Sequence, residues 1–312
     1  MAAIDAPRQL APEVRLEIAR ARRRHRLRAN GAGYLFLLPN LAFFAVFLLL
    51  PVAWVVRQTF QRGGVLGPAQ PVGLENWRHA ASDPLLTASL KHTLYYTGLY
   101  VPALLVLATA LALLLREVRR RPGLVRATVY LPSLTSGVLS ALIWVFVVHP
   151  DFGLLNLGTR LVGARPVNWL GDADTAMPTI VMTSVWRDLG FWALLILAAL
   201  ITVPSDLYAA AKLDGASAWR RFLHVTVPSI RPTLFVAIVL AIVAGMQVLD
   251  PIFVLTGGGP EGSTESAVLY IYRSVFQNAN PGYGAVLSVV LLVLIFALTG
   301  LTAAVMRGRR RG

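Results

Sequence analysis

Apolar residues fall in six long runs, 34–56, 93–115, 127–148, 177–201, 233–256 and 283–306, separated by polar, turn-rich segments. The first run has 23 residues. As a helix it reaches roughly 35 Å, enough to cross a hydrocarbon core of about 30 Å. In lipid every backbone amide needs an internal partner, and a helix supplies one within its own segment. The pattern therefore predicts an all-α membrane protein with six transmembrane helices over residues 34–306. The segment 57–92 contains a short helical pattern around Leu74 to Ala81. The segment 149–176 is punctuated by His149-Pro150-Asp151, Gly153, Gly158, Gly163, Pro166 and Gly171-Asp172, which read as turns. No internal repeat or low-complexity tract is present. Of the 312 residues, no stretch outside the spans is long enough to bury its own core, so a catalytic engine is expected on another chain.

Only 14% of residues are charged, far below the roughly 25% of soluble domains. The formal net charge of +14 raises the question of nucleic acid, and its distribution answers against it. Segments 1–32, 116–126, 202–232 and 307–312 hold 21 of the 29 Lys and Arg, and they alternate with basic-poor segments. By the positive-inside rule this puts both termini in the cytoplasm. The basic N-terminal tail (1–33, with Arg22, Arg23, Arg24, Arg26 and Arg28) and the basic C-terminal tail (307–312) then read as orientation signals that touch anionic lipid. The first run is too long for the apolar part of a signal peptide and lacks a clear cleavage site, so it is expected to be retained. With no Cys there is neither a disulfide nor a thiolate metal site, and the five His show no ligand spacing.

The loop 204–228, PSDLYAAAKLDGASAWRRFLHVTVP, carries more than turn chemistry. Pro204 ends the fourth span. Ser205 is placed to cap a helix over Asp206 to Leu213, in which Ala209, Ala210 and Ala211 are strong helix formers of small bulk. Asp214-Gly215 breaks it, Ala216 to His224 restarts it, and Pro228 and Pro232 mark entry to the fifth span. A small, exposed Ala face suits close approach by another protein. An amphipathic segment lying on lipid is the alternative.

Ala210 and Ala211, Gly215 four residues on, then Val225, Val227 and Pro228 resemble the EAA loop of permease subunits of ATP-binding-cassette importers. That pattern is Glu-Ala-Ala, three residues, Gly, nine residues, then Ile-x-Leu-Pro. Ala209 stands where the family has Glu. Further stretches are similar to the sugar and glycerol-phosphate branch: Leu37-Leu38-Pro39, Gly73-Leu74-Glu75-Asn76-Trp77, Tyr130-Leu131-Pro132, Asp151 to Asn156, Asn168-Trp169-Leu170-Gly171, Val185 to Phe191 and Leu255 to Pro260. The resemblance implies a type I importer permease fold in a bacterial inner membrane. It implies a second permease chain, two ATPase subunits and an extracytoplasmic solute-binding protein. ATP and Mg would be used by the ATPase, with no cofactor on this chain and no catalytic residue. Ala209, Ala210, Ala211, Asp214, Gly215 and Pro228 would form the ATPase-coupling surface.

Charges within spans are costly and face protein or water, often along a pathway. Arg187 and Asp188 lie in the fourth run and Asp250 in the fifth. Counted from the outer ends, Arg187 is about 15 Å deep and Asp250 about 9 Å. Neighbouring positions point about 100° apart, so Arg187 is expected to pair with Asp250 across helices rather than with Asp188. Gln247, at i, i+3 from Asp250, is expected on the same face. Trp186, Trp192 and Phe253 are apolar surfaces for a sugar ring or plain packing residues. Pro251 predicts a kink at this cluster. The substrate-path candidates are thus Trp186, Arg187, Asp188, Gln247, Asp250 and Phe253. Gly257-Gly258-Gly259-Pro260 is not a phosphate loop, since no Gly-Lys-Ser/Thr follows. A secondary transporter driven by an ion gradient is the competing reading, with Arg187, Asp188 and Asp250 as its relay.

Overall fold

The computed structural model describes residues 37–63 and 68–308, so the N-terminal tail and the last four residues lie outside the described region. The first helix, α1 (Leu37–Gln58), has 22 residues and contains a π-helical turn at Ala45–Leu49. That turn ends two residues before Pro51, which has no N–H to donate and crowds the carbonyl one turn back.

From residue 58 onward the chain forms a helical bundle. A two-stranded antiparallel ribbon, β1 (Gln61–Arg62) on β2 (Gln70–Pro71), leads into α2 (Glu75–Ser82). Asn76 donates to the carbonyls of Thr59 at 3.0 Å and Gln61 at 2.9 Å and pins the ribbon to α2. Helix α3 (Pro84–Glu117) has 34 residues, about 51 Å of helix. It starts well before the apolar run at 93. Asp83 accepts from the Leu85 amide at 2.8 Å and Pro84 occupies the first turn, a strong helix start that hydropathy does not register. Along one face of α3, Tyr96, Tyr100, Leu104, Ala108 and Ala112 recur every fourth residue. They form the core with Ile180, Ala193, Ile196 and Leu200 of α7 (Ala173–Ile201). Small residues in that stripe let the two backbones approach closely.

The third run is not one straight helix. It divides into α4 (Pro122–Tyr130), a 3-10 turn at Leu131–Leu134, and α5 (Gly137–Val147), bent by 96°. Pro132 cannot donate to the helix ladder, and Ser136 caps α5 by accepting from the Leu139 amide at 3.2 Å. Ser133 fixes the turn against α7, donating to the Arg187 carbonyl at 2.7 Å and accepting from the Phe191 amide at 3.2 Å. A short helix α6 (Leu154–Leu161) follows α5.

After α7 come α8 (Ser205–Leu213) and α9 (Ala218–Arg221). A π-helical turn at Phe222–Thr226 joins α9 to α10 (Val227–Met246) without a break. Pro228 and Pro232 therefore do not mark a fresh start: Pro228 sits in the first turn of α10, and Pro232 lies inside it. The predicted kink at Pro251 is instead a full break. Helix α10 ends at Met246, and α11 (Asp250–Leu255) begins with Pro251 in its first turn, where no N–H is needed. Helices α12 (Ala267–Tyr272) and α13 (Pro281–Gly308) close the bundle. On the α13 side, Asp83 accepts from Tyr270 at 2.6 Å and from Tyr283, tying α3 to α12 and α13. Among the described residues five helices are long and apolar enough to cross a membrane, and the bent pair α4–α5 makes the sixth.

Candidate polar cavity and coupling loop

Where α10 breaks, a small polar cavity of about 150 Å³ opens between α3, α7 and the α10–α11 junction. Tyr96, Tyr100, Ser184, Arg187, Asp188, Gln247 and Asp250 supply its polar walls. Arg187 pairs with Asp188, not with Asp250. Its Nε donates to Asp188 Oδ1 at 2.7 Å and its Nη2 to Oδ2 at 3.2 Å. The two Cα–Cβ bonds do diverge, but the long Arg side chain folds back over its neighbour, which the angular argument left out. Tyr100 donates a further bond to Asp188 Oδ2 at 2.6 Å. The Asp188 carboxylate is thereby compensated within this chain.

Asp250 is exposed and has no hydrogen-bond or ion-pair partner among the described residues. It nonetheless comes near Arg187 at Gly137, the first residue of α5. A Cβ built on Gly137 would meet Arg187 Nη1 at 2.7 Å, and Asp250 Oδ2 closer still. Gln247 caps the end of α10 and is not on a helix shared with Asp250, because the break intervenes. Both residues still reach the same cavity.

The aromatic candidates separate. Trp192 is buried in the core, 6% exposed, and packs edge-on to Phe191, so it serves packing. Trp186 and Phe253 are surface-accessible, at 37% and 46% exposure, but neither lines the cavity. Trp186 leans on Trp144 at 5.9 Å and Phe253 on Tyr272 at 5.4 Å. Sequence reasoning overlooked Tyr96, Tyr100 and Gly137. The two tyrosines at i, i+4 in an apolar run were a usable signal, since buried phenols seek a partner. Gly137 carried none, because its value depends on two side chains from distant helices.

The loop 204–228 forms a second distinctive feature. Helix α8 has no buried residue. Ala209 and Ala210 are exposed and Ala211 is half-buried. Pro204, not Ser205, occupies the cap position, and Ser205 donates instead to Asp206 at 3.3 Å. At the other end Asp214 is the C-cap and Gly215 adopts φ +75°. The Ala216 amide donates to the Ala211 carbonyl at 2.9 Å and the Gly215 amide to Lys212 at 3.1 Å, a Schellman closure that needs the left-handed residue. Tyr208 joins the loop to the bundle. Its hydroxyl lies 3.1 Å from Thr226 Oγ1, and the Arg116 guanidinium sits 4.7 Å above its ring.

Arg273, just after α12, grips Glu265 and the Gly257 carbonyl on the segment between α11 and α12, where Thr264 donates to the Gly259 carbonyl at 2.7 Å. Burial raises the Glu265 carboxyl above its ordinary value, and Arg273 offsets this only in part. The Gly-rich segment is a braced loop.

The model of the family described as "binding-protein-dependent transport system inner membrane component" matches residues 92–311. The chain belongs to that family. A trehalose/maltose transport system permease protein of Thermococcus litoralis is 36% identical over 279 residues, covering 89% of this chain and 94% of its own length. An sn-glycerol-3-phosphate transport system permease protein of Yersinia pestis is 32% identical over 270 residues, 85% of this chain and 90% of its own. In fold, the chain is similar to a subunit of a bacterial alginate ABC transporter solved with an alginate pentasaccharide-bound periplasmic protein. The TM-score is 0.76 at 24% identity, over 89% of this chain and 94% of that one. The chain is thus a multi-pass membrane permease of the importer type, from a family of transport proteins rather than enzymes.

Proposed function

We propose that the permease moves a carbohydrate-type solute into the cell by alternating access driven by ATP on partner subunits. The observation that carries this reading is α8: a well-formed helix, closed by a Schellman turn, with no residue buried by its own chain and a firm tie to the core through Tyr208. A helix so exposed and so anchored suits a second protein that docks there and moves it. The relatives' trehalose/maltose, glycerol-phosphate and alginate systems support the solute class and the importer setting. The partners are then a second permease chain, a pair of ATPase subunits at Ala209, Ala210, Ala211, Asp214, Gly215 and Pro228, and a binding protein on the opposite face. ATP and Mg belong to the ATPase, and both termini lie in the cytoplasm of an inner-membrane protein. ATP can shift the bundle only by interacting differently with its two states, and α8 is where that difference enters. An ion-gradient carrier has no use for such a helix.

The test is reconstitution of the permease pair with its ATPase and binding protein in proteoliposomes. Trehalose and maltose uptake should require internal ATP and survive a protonophore. Uptake that continues without ATP and collapses with the protonophore would refute the proposal.

A further inference from the structure

We propose that Gly137, Arg187 and Asp250 form a notch that binds one hydroxyl group of a neutral polyhydroxylated solute and disfavours phosphorylated or carboxylated cargo. This rests on the permease reading above and names the chemistry of its cavity. Arg187 Nη1 lies 2.7 Å from the point where a Gly137 Cβ would sit, and Asp250 Oδ2 lies nearer, so the two atoms are less than twice that distance apart. They are nevertheless beyond 4.0 Å, too far for an ion pair. One oxygen making two hydrogen bonds of about 2.8 Å spans such a gap. A hydroxyl does this with both its functions: its oxygen accepts from the guanidinium and its proton goes to the carboxylate. A phosphate or carboxylate oxygen can only accept, and it would face Asp250 across the gap.

The remaining groups point the same way. Arg187 spends Nε and Nη2 on Asp188, leaving Nη1 as the atom that faces the notch. Asp250 has no partner among the described residues and is exposed. Arg187, Asp188 and Asp250 are the charged residues lining the cavity, one cation against two carboxylates, so the wall carries a negative surplus. Gln247 beside them adds an amide able to donate and accept, suited to a second hydroxyl. Gly137 lets both side chains pack against its backbone at this spacing, because any β-carbon there would collide with them.

The experiment is ATP-driven uptake by the assembled transporter of trehalose, of its monodeoxy analogues at each ring position, and of sn-glycerol 3-phosphate. Wild type is compared with Asp250→Ala and Gly137→Ala. Wild type should import trehalose and not the phosphate. Gly137→Ala should lower trehalose uptake at least tenfold. At least one deoxy analogue should lose about fivefold in wild type and nothing further in Asp250→Ala, the non-additivity expected when the deleted hydroxyl and the deleted carboxylate are partners. Asp250→Ala is exposed and tests the pairing without filling the notch. Equal losses for every analogue in wild type and Asp250→Ala would overturn the notch while leaving an ATP-driven permease intact. So would wild-type import of glycerol phosphate in preference to trehalose. Loss of the ATP requirement would instead strike the permease reading itself.

Discussion

Tyr208 is the mechanical tie between the exposed helix α8 and the bundle, and its strength can be worked out. Its hydroxyl bond to Thr226, at 3.1 Å between neutral partners, is worth about 1 kcal/mol. The Arg116 guanidinium, 4.7 Å above the ring at a half-buried site, adds about 0.5–1 kcal/mol. Tyr208→Phe removes the first contribution and keeps the second; Tyr208→Ala removes both. A loss of about 2 kcal/mol shifts the balance between tied and untied loop roughly 30-fold, and about 1 kcal/mol shifts it roughly fivefold. If α8 carries motion into α3 and α10, an untied loop lets the ATPase turn over without moving the bundle. Measured together in proteoliposomes, solute imported per ATP hydrolysed should fall moderately in Tyr208→Phe and about tenfold in Tyr208→Ala, with hydrolysis maintained. A wild-type ratio in Tyr208→Ala would refute the reasoning. Loss of the ATPase subunits from purified Tyr208→Ala complex would show that Tyr208 builds the docking surface and does not transmit through it.

Three further outcomes follow from the same structure. Burial alone would raise the Asp83 carboxyl, but hydrogen bonds from Tyr270 and Tyr283 and from the Leu85 and Leu86 amides more than offset it, so its pKa lies below the ordinary value. A depressed carboxylate stabilises the fold above the unfolded pKa of about 4 and ceases to as pH falls through the folded value; melting curves should show Asp83→Asn less stable than wild type at pH 7, with the gap closing as pH drops below about 4. Arg273→Ala strands the nearly buried Glu265, 8% exposed, at a cost of about 1–3 kcal/mol, and adding Glu265→Gln should recover part of the lost melting temperature. Gly215→Ala meets no atom within 4 Å, so its cost is backbone strain alone, about 1 kcal/mol at φ +75°; hydrogen exchange should quicken at the Gly215 and Ala216 amides while the core of α7 stays protected.

The six-span architecture was legible because hydropathy and the lipid solvent dictate it. The ends of the spans were less so, since α3 is extended by a cap and a proline and not by apolar residues. Gly215 was legible for a similar reason, as its turn is local and its neighbours in space are its neighbours in sequence. The cavity was legible only in its membership. Arg187, Asp188, Gln247 and Asp250 do converge, yet the expected pair, Arg187 with Asp250, is replaced by Arg187 with Asp188. Depth counted along two ideal helices cannot locate Asp250, because α10 stops at Met246 and restarts at Asp250. Breaking α10 there frees backbone groups that an unbroken helix would satisfy, a cost lipid would not tolerate and a polar cavity can. At the bend before Gly137, Ser136 accepts from the freed Leu139 amide and Ser133 ties the turn to the α7 backbone. Two interrupted spans meeting at one point bring Gly137, Arg187 and Asp250 together where straight helices would have presented three separate faces. The interruptions are therefore what make a hydrophilic site possible at this depth, and an insertion that restored helical continuity across residues 247–249 would be expected to close it.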